Sequence, residues 1–142
     1  MPKVMLHHVE TTYLKEFYRA RERNIEVTTG YLARTFKVKP ASAFDVVSKL
    51  LEKNMLEKAG WGKFKLTPSG VVVAARIIHN HRILETYFHR ELGLSPSEAC
   101  LHASKIDDQI GEPVIRRMCL KLDFPNTCIH GNEVKHKECR EE

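Results

Sequence analysis

Residues 28–70 read TTGYLARTFKVKPASAFDVVSKLLEKNMLEKAGWGKFKLTPSG, and this stretch decides the fold. At its centre Ala43, Val46, Val47, Leu50 and Leu51 follow i, i+3, i+4, i+7, i+8, one apolar face of a helix. Pro40 suits the first turn of that helix, and the pattern ends near Asn54. Before it, Thr28 and Thr29 can offer hydroxyls to the open amides of a short helix carrying Tyr31, Leu32 and Phe36. Lys37-Val38-Lys39 leaves room only for a tight turn between the two helices. After it, Met55-Leu56-Glu57-Lys58 and Lys63-Phe64-Lys65-Leu66 flank Ala59-Gly60-Trp61-Gly62, which reads as a hairpin of two short strands.

Working outward, Val9, Tyr13, Phe17 and Ala20 share one face of a first helix over about 8–23. Thr67 and Pro68 open a long helix that Gly93 stops near Leu92. Ser95-Pro96-Ser97-Glu98 is a strong helix start, with Glu98 placed for a capping box. Glu112-Pro113 begins one more helix reaching about Leu122, and from Asp123 the chain reads as polar and irregular. Helix, helix, tight turn, helix, hairpin is the order of a winged helix-turn-helix. The expected architecture is mainly α: a winged helix-turn-helix with a two-stranded wing over 1–70, a helical domain over 71–124, and a polar tail over 125–142.

The charge is divided unevenly. Residues 1–75 hold 13 Lys/Arg against 7 Asp/Glu, and residues 76–142 hold 10 against 11, within a net +5 for 142 residues. A basic first half suggests a polyanionic partner. The longest apolar run, Val71 to Ala75, is cut by Arg76 and falls far short of the roughly 18 residues of a membrane span. No secretion-signal pattern stands at the N-terminus, which points to the cytoplasm. All four cysteines lie in the last 43 residues, a placement that favours thiol or metal roles over disulfides.

A third helix propped in this way can lie in a DNA major groove about 12 Å wide, with the hairpin along the backbone. Lys37, Lys39, Lys58, Lys63 and Lys65 are then expected on phosphates. Thr29 and Pro40 stand at helix starts beside them, and Ala41, Ser42, Phe44, Asp45 and Lys49 line the outer face of the third helix. That face lacks the Arg, Asn and Gln that make bidentate base contacts. Phe44 can meet a thymine methyl or pack at the edge of the first helix.

Thr11-Thr12-Tyr13-Leu14-Lys15, Val38-Lys39-Pro40-Ala41-Ser42, Leu66-Thr67-Pro68-Ser69-Gly70, His81-Arg82-Ile83-Leu84-Glu85 and Glu91-Leu92-Gly93-Leu94 together resemble the diphtheria toxin repressor family of metal-dependent repressors. The resemblance runs in register over about 8–122, and the short length is similar to its two-domain, manganese-regulator branch. It implies a homodimer whose winged helices bind an inverted repeat in double-stranded DNA. Its second, helical domain would dimerise and bind a divalent transition metal: Fe²⁺ foremost, with Mn²⁺ or Zn²⁺ as alternatives. By that resemblance His81 and Glu85 match ligands, Cys100 stands where some members ligate through His, and Asp107 and Asp108 match a Glu and a His. Two first-helix positions depart from the pattern. Thr12 replaces a Met or Asp ligand, and Lys15 replaces a Glu of the manganese branch with an ammonium that cannot ligate.

The residues themselves support a mixed N/O/S site. His81 and Glu85 are i, i+4 on the long helix. Cys100, Ser104, Asp107 and Asp108 share one face of the next helix. Thiolate and imidazole suit Fe²⁺, Co²⁺ or Zn²⁺ better than Mn²⁺. A second donor set, Cys128, His130, His136 and Cys139, is compact enough in sequence for a tetrahedral zinc site. His79 and His102 read as surface or helix-contact residues. Val71, Ile77, Ile78, Leu84, Val114, Ile115 and Met118 are more apolar surface than one chain is expected to bury, which suggests a dimer through 72–122. Two other readings stay open: a winged-helix regulator that does not sense metal, and a Cys/His metal-binding redox enzyme. Against the enzyme, the chain carries no nucleophile motif, phosphate loop or cofactor fingerprint.

Overall fold

The structure is a computed structural model that describes residues Met5–His136. Its elements run α1 (His8–Glu22), β1 (Val27–Thr28), α2 (Thr29–Phe36), α3 (Pro40–Glu52), β2 (Leu56–Gly60), β3 (Lys63–Leu66), α4 (Pro68–Arg90), α5 (Pro96–Ile106) and α6 (Glu112–Lys121). The chain divides into two compact units that meet at Ala75 and Arg76, inside α4.

The first unit is a winged helix. Thr28 caps α2 by accepting the Tyr31 amide at 3.0 Å, and Pro40 occupies the first turn of α3. Ala43, Val47 and Leu50 of α3 are buried with Tyr13, Leu14, Phe17 and Ala20 of α1 and Leu32 of α2. The Tyr13 and Phe36 rings stack with centroids 4.4 Å apart. Val9, expected on the apolar face of α1, is exposed, whereas Glu10 and Thr11 beside it are buried. The wing pairs Leu56 with Leu66 and Lys58 with Phe64, with an irregularity between Lys58 and Gly60. A third strand was not expected: Val27 pairs with Phe64, giving an antiparallel sheet in the order β1-β3-β2.

The second unit has its own core of Ile83 and Leu84 from α4, Ala103 from α5, Ile115 and Cys119 from α6, with Leu122, Cys128 and Val134. The residues expected to form an irregular tail fold back instead. Cys128 and Val134 donate backbone amides to Asn132 and Asn126 at 2.9 and 2.8 Å, and Thr127 bridges Glu133, forming a small hairpin. The Arg82 guanidinium of α4 donates to the Glu133 carbonyl at 2.7 Å and fastens that hairpin down. Ile77, Ile78, Leu84 and Ile115 are buried within the single chain, so the expectation that these four stay exposed is corrected. Val114 is exposed as expected, and Val72, Leu101 and Leu120, which were not foreseen, are exposed as well. Among the described residues no helix is long and apolar enough to cross a membrane.

Candidate metal centre

Helix α4 owes its start to Thr67, whose hydroxyl accepts the Gly70 amide at 2.9 Å and donates to the Asn54 carbonyl at 2.7 Å. Further along, α4 buries an unusual run of polar side chains: His79, His81, Arg82, Glu85 and Thr86. Buried polar groups are informative because each needs a partner to offset its desolvation. The His81 ring is held by Asp107, whose carboxylate accepts from Nδ1 at 3.0 Å. That fixes Nε2 toward the Glu85 carboxylate at 3.4 Å and the Cys100 sulfur at 3.6 Å. Burial opposes a charge on His81, but the bonds to Asp107, Cys100 and Glu85 outweigh it and push its pKa up to about 10. The pocket around Nε2 is therefore one that stabilises positive charge.

Glu85 lies at the junction of two donor groups. On one side are His81 and Cys100; on the other are Cys128 and His130 of the C-terminal hairpin. The Glu85 carboxylate lies 3.1 Å from His130 Nδ1. Burial would raise its pKa, yet hydrogen bonds from His81 and Cys128 and the nearby imidazole charges hold it below the usual range. The Cys128 thiol is pushed up, by burial and then by the Glu85 carboxylate.

Of the residues singled out in the sequence, the structure gathers His81, Glu85 and Cys100. Asp107 bonds the outer nitrogen of His81. Asp107 is the C-cap of α5, keeping helical backbone angles with its amide on the Ala103 carbonyl, and Asp108 follows it. Among the described residues, the tail set divides between two donor groups. Cys128 and His130 turn to Glu85, whereas His136 turns to Cys119 and His79. Cys139 lies outside the described residues. His79 and Cys119 are buried donors that the sequence reading missed. Their one signal was an unexplained His and an unexplained Cys on apolar helix faces.

On the first unit, Pro40, Ala41, Ser42, Phe44, Asp45 and Lys49 all lie exposed on α3. Phe44 is 48% exposed. Thr29 is half-buried at the start of α2, where Thr28 provides the cap. Lys37, Lys39, Lys58 and Lys65 are exposed, and Lys63 is half-buried. Two wing lysines already have partners: Lys63 with Glu26 at 2.8 Å and Lys65 with Glu57 at 3.6 Å. Trp61 is fully exposed at the wing tip.

Residues 67–135 match the family model described as iron dependent repressor, metal binding and dimerisation domain. The chain is 26% identical over 128 residues to the iron-dependent repressor IdeR of Mycobacterium leprae, covering 89% of this chain and 56% of that protein. It thus spans about half the length of such curated relatives. It is also 23% identical over 112 residues to an uncharacterized HTH-type transcriptional regulator of Methanocaldococcus jannaschii, covering 78% of this chain and 90% of that one. Among solved structures, a manganese-dependent transcriptional repressor in complex with manganese is 28% identical, with a TM-score of 0.83 over 91% of this chain and 59% of that one. The IdeR of T. acidophilum is 26% identical, with a TM-score of 0.73 over 99% and 64%. The manganese regulator SloR, 23% identical with a TM-score of 0.80 over 88% and 58%, shares the fold. The domain match lies over the very helices that gather His81, Glu85 and Cys100, so in that stretch the chain is similar to the metal binding and dimerisation domain of iron dependent repressors.

Proposed function

We propose that this chain is a cytoplasmic, metal-dependent transcriptional repressor that acts as a homodimer on double-stranded DNA. One observation carries the reading: the buried convergence of His81 Nε2, Glu85 and Cys100, with Cys128 and His130 on the far side of Glu85. The donors fit a divalent transition metal, because imidazole nitrogen and cysteine sulfur sit beside a carboxylate held below the usual range. Fe²⁺ is the ion we assign, with Mn²⁺ and Zn²⁺ as competitors. His81, Glu85 and Cys100 would hold it, and Asp107 would orient the His81 ring as an outer partner. A bound ion would join α4, α5 and the C-terminal hairpin. That differential contact biases the protein toward one conformation and couples metal to DNA.

The DNA-binding part of the reading rests on the exposed face of α3 and the basic wing, and the homodimer on the dimerisation function carried in the matched family description. The three units of function would be divided as 1–70 for DNA, 71–124 for metal and dimerisation, and 125–142 for the closing hairpin and tail. The test uses duplexes selected from a random pool by metal-loaded protein. Wild-type protein should bind them with Fe²⁺ and release them with chelator. His81→Ala and Glu85→Ala should each lower metal affinity about 100-fold or more, since even outer partners of ligands are worth 10–100-fold. Metal affinity and metal-dependent DNA binding unchanged in both variants would overturn the assignment.

A further inference from the structure

We propose that His79, Cys119 and His136 form a second metal site, separate from the centre on Glu85, which takes a zinc-class ion between α4, α6 and the C-terminal hairpin. The three side chains are 7%, 0% and 8% exposed, and their donor atoms lie within 4.8 Å of one another. They share no residue with the groups around His81 and Glu85.

The His136 ring shows how the site is built. Its Nε2 faces the Pro125 carbonyl, which can only accept, so Nε2 carries the proton and donates. In the neutral ring Nδ1 then presents a lone pair, and it lies 3.1 Å from the Cys119 sulfur. A carbonyl holding the outer N–H of an imidazole is the usual support of a metal-ligating histidine. The His79 ring stands edge-on to His136 with centroids 5.6 Å apart, and Phe124 closes the other side at 5.6 Å. Zinc bonds of about 2.3 Å to sulfur and about 2.0 Å to nitrogen place tetrahedral S and N donors roughly 3.5 Å apart. Only a slight widening of the Cys119–His136 pair is needed.

Two imidazoles and a thiolate select a borderline or soft ion over Mg²⁺, Ca²⁺ or Mn²⁺. Three protein donors leave a fourth position for water. As the ion enters, the Cys119 thiol loses its proton to solvent and the sulfur pair forms the metal bond. No finger spacing announces the site, because His79, Cys119 and His136 come from three separate segments. An ion there would pin the hairpin that carries Cys128 and His130.

The experiment uses Co²⁺ as the probe, because a cobalt–thiolate bond gives a charge-transfer band that carboxylate and imidazole do not. In a chain carrying Cys100→Ser, Cys128→Ser and Cys139→Ser, Cys119 is the sole thiol. That chain should still show the band at one Co²⁺ per chain, bleach it on adding Zn²⁺, and lose it on adding Cys119→Ser. In the otherwise wild-type chain, Cys119→Ser alone should lower bound Zn²⁺ from two equivalents to one, and His79→Ala should weaken the lost site at least tenfold. Circular dichroism without metal checks that the single-atom change in Cys119→Ser keeps the fold. Absence of the band when Cys119 is the sole thiol, or undiminished Zn²⁺ stoichiometry in Cys119→Ser, overturns the proposal. Both variants leave His81 and Glu85 in place, so such a failure would leave the reading of that centre standing.

Discussion

Glu10 is a carboxylate almost wholly buried in α1, and one of its oxygens holds two donors. Oε1 accepts from the His7 amide and from the Lys53 ammonium, each at 2.7 Å. Burial by itself would raise the pKa, but the His7 bond and the Lys53 charge win and hold it below the ordinary 4.5. The sign of the linkage follows. A carboxyl depressed in the folded state contributes stability that is present above its unfolded pKa of about 4.3 and is lost as pH falls through the folded value. Glu10→Gln should therefore destabilise the first unit by about 2 kcal/mol at neutral pH, the worth of a hydrogen bond to a charged group. Near pH 3 the gap between variant and wild type should narrow. Denaturant unfolding of both proteins at the two pH values measures this, and a gap that does not change with pH would remove Glu10 from the acid response.

At the scale of elements, the packing of α4 onto the wing turns on Gly70. A Cβ there would lie 2.1 Å from the Met55 carbonyl oxygen and 3.0 Å from its carbon. That carbonyl cannot move freely, since it accepts the Thr67 amide at 3.0 Å. Gly70→Ala should cost about 3 kcal/mol, at the upper end of overpacking changes, and thermal melting of the variant reads it directly; an unchanged melt would mean that α4 shifts without cost. The sequence shows Thr67 as a cap and Pro68 as a first-turn residue, but the reason for Gly70 depends on Met55, brought there by the wing. The same distinction runs through the fold. Helices bounded by Thr28, Pro40, Ser95 or Gly93 are legible because the cap and the first turn are local. Strand β1 is not, because two residues cannot display alternation, and only Phe64 and Lys63 across the sheet define them. The C-terminal hairpin is not, because its ladder joins Cys128 to polar Asn132 and Val134 to polar Asn126, so it shows no apolar alternation around its buried anchors Cys128, Val134 and His136. Among the metal donors, His81 and Glu85 are legible as one turn of one helix. Regrouping His136 with Cys119 and His79 needs the tertiary path of three segments.

For the whole molecule, the basic first half argues for a polyanion, but the structure shows that composition overstates the free charge. Lys37 and Lys39 flank the start of α3 in the open, whereas Lys63 is held by Glu26. On the proposed DNA complex, each lysine that neutralises a phosphate releases counterions, and log affinity falls with log salt by about 0.9 per contact. In a dimer each substitution counts twice, so Lys39→Ala should flatten the slope by roughly 1.8. Lys63 must choose between Glu26 and a phosphate. An exposed ion pair is worth only about 0–1 kcal/mol, so the duplex can draw the lysine away, but the freed Glu26 carboxylate then faces the same backbone and cancels part of the gain. Lys63→Ala should accordingly change the slope less than Lys39→Ala does, and Glu26→Gln should raise affinity while leaving the protein's metal uptake alone. Anisotropy titrations of the selected duplex between about 50 and 200 mM salt separate these cases. Equal slope changes for Lys39→Ala and Lys63→Ala would show that Glu26 does not compete, and an affinity flat across that range would remove the nucleic-acid partner altogether.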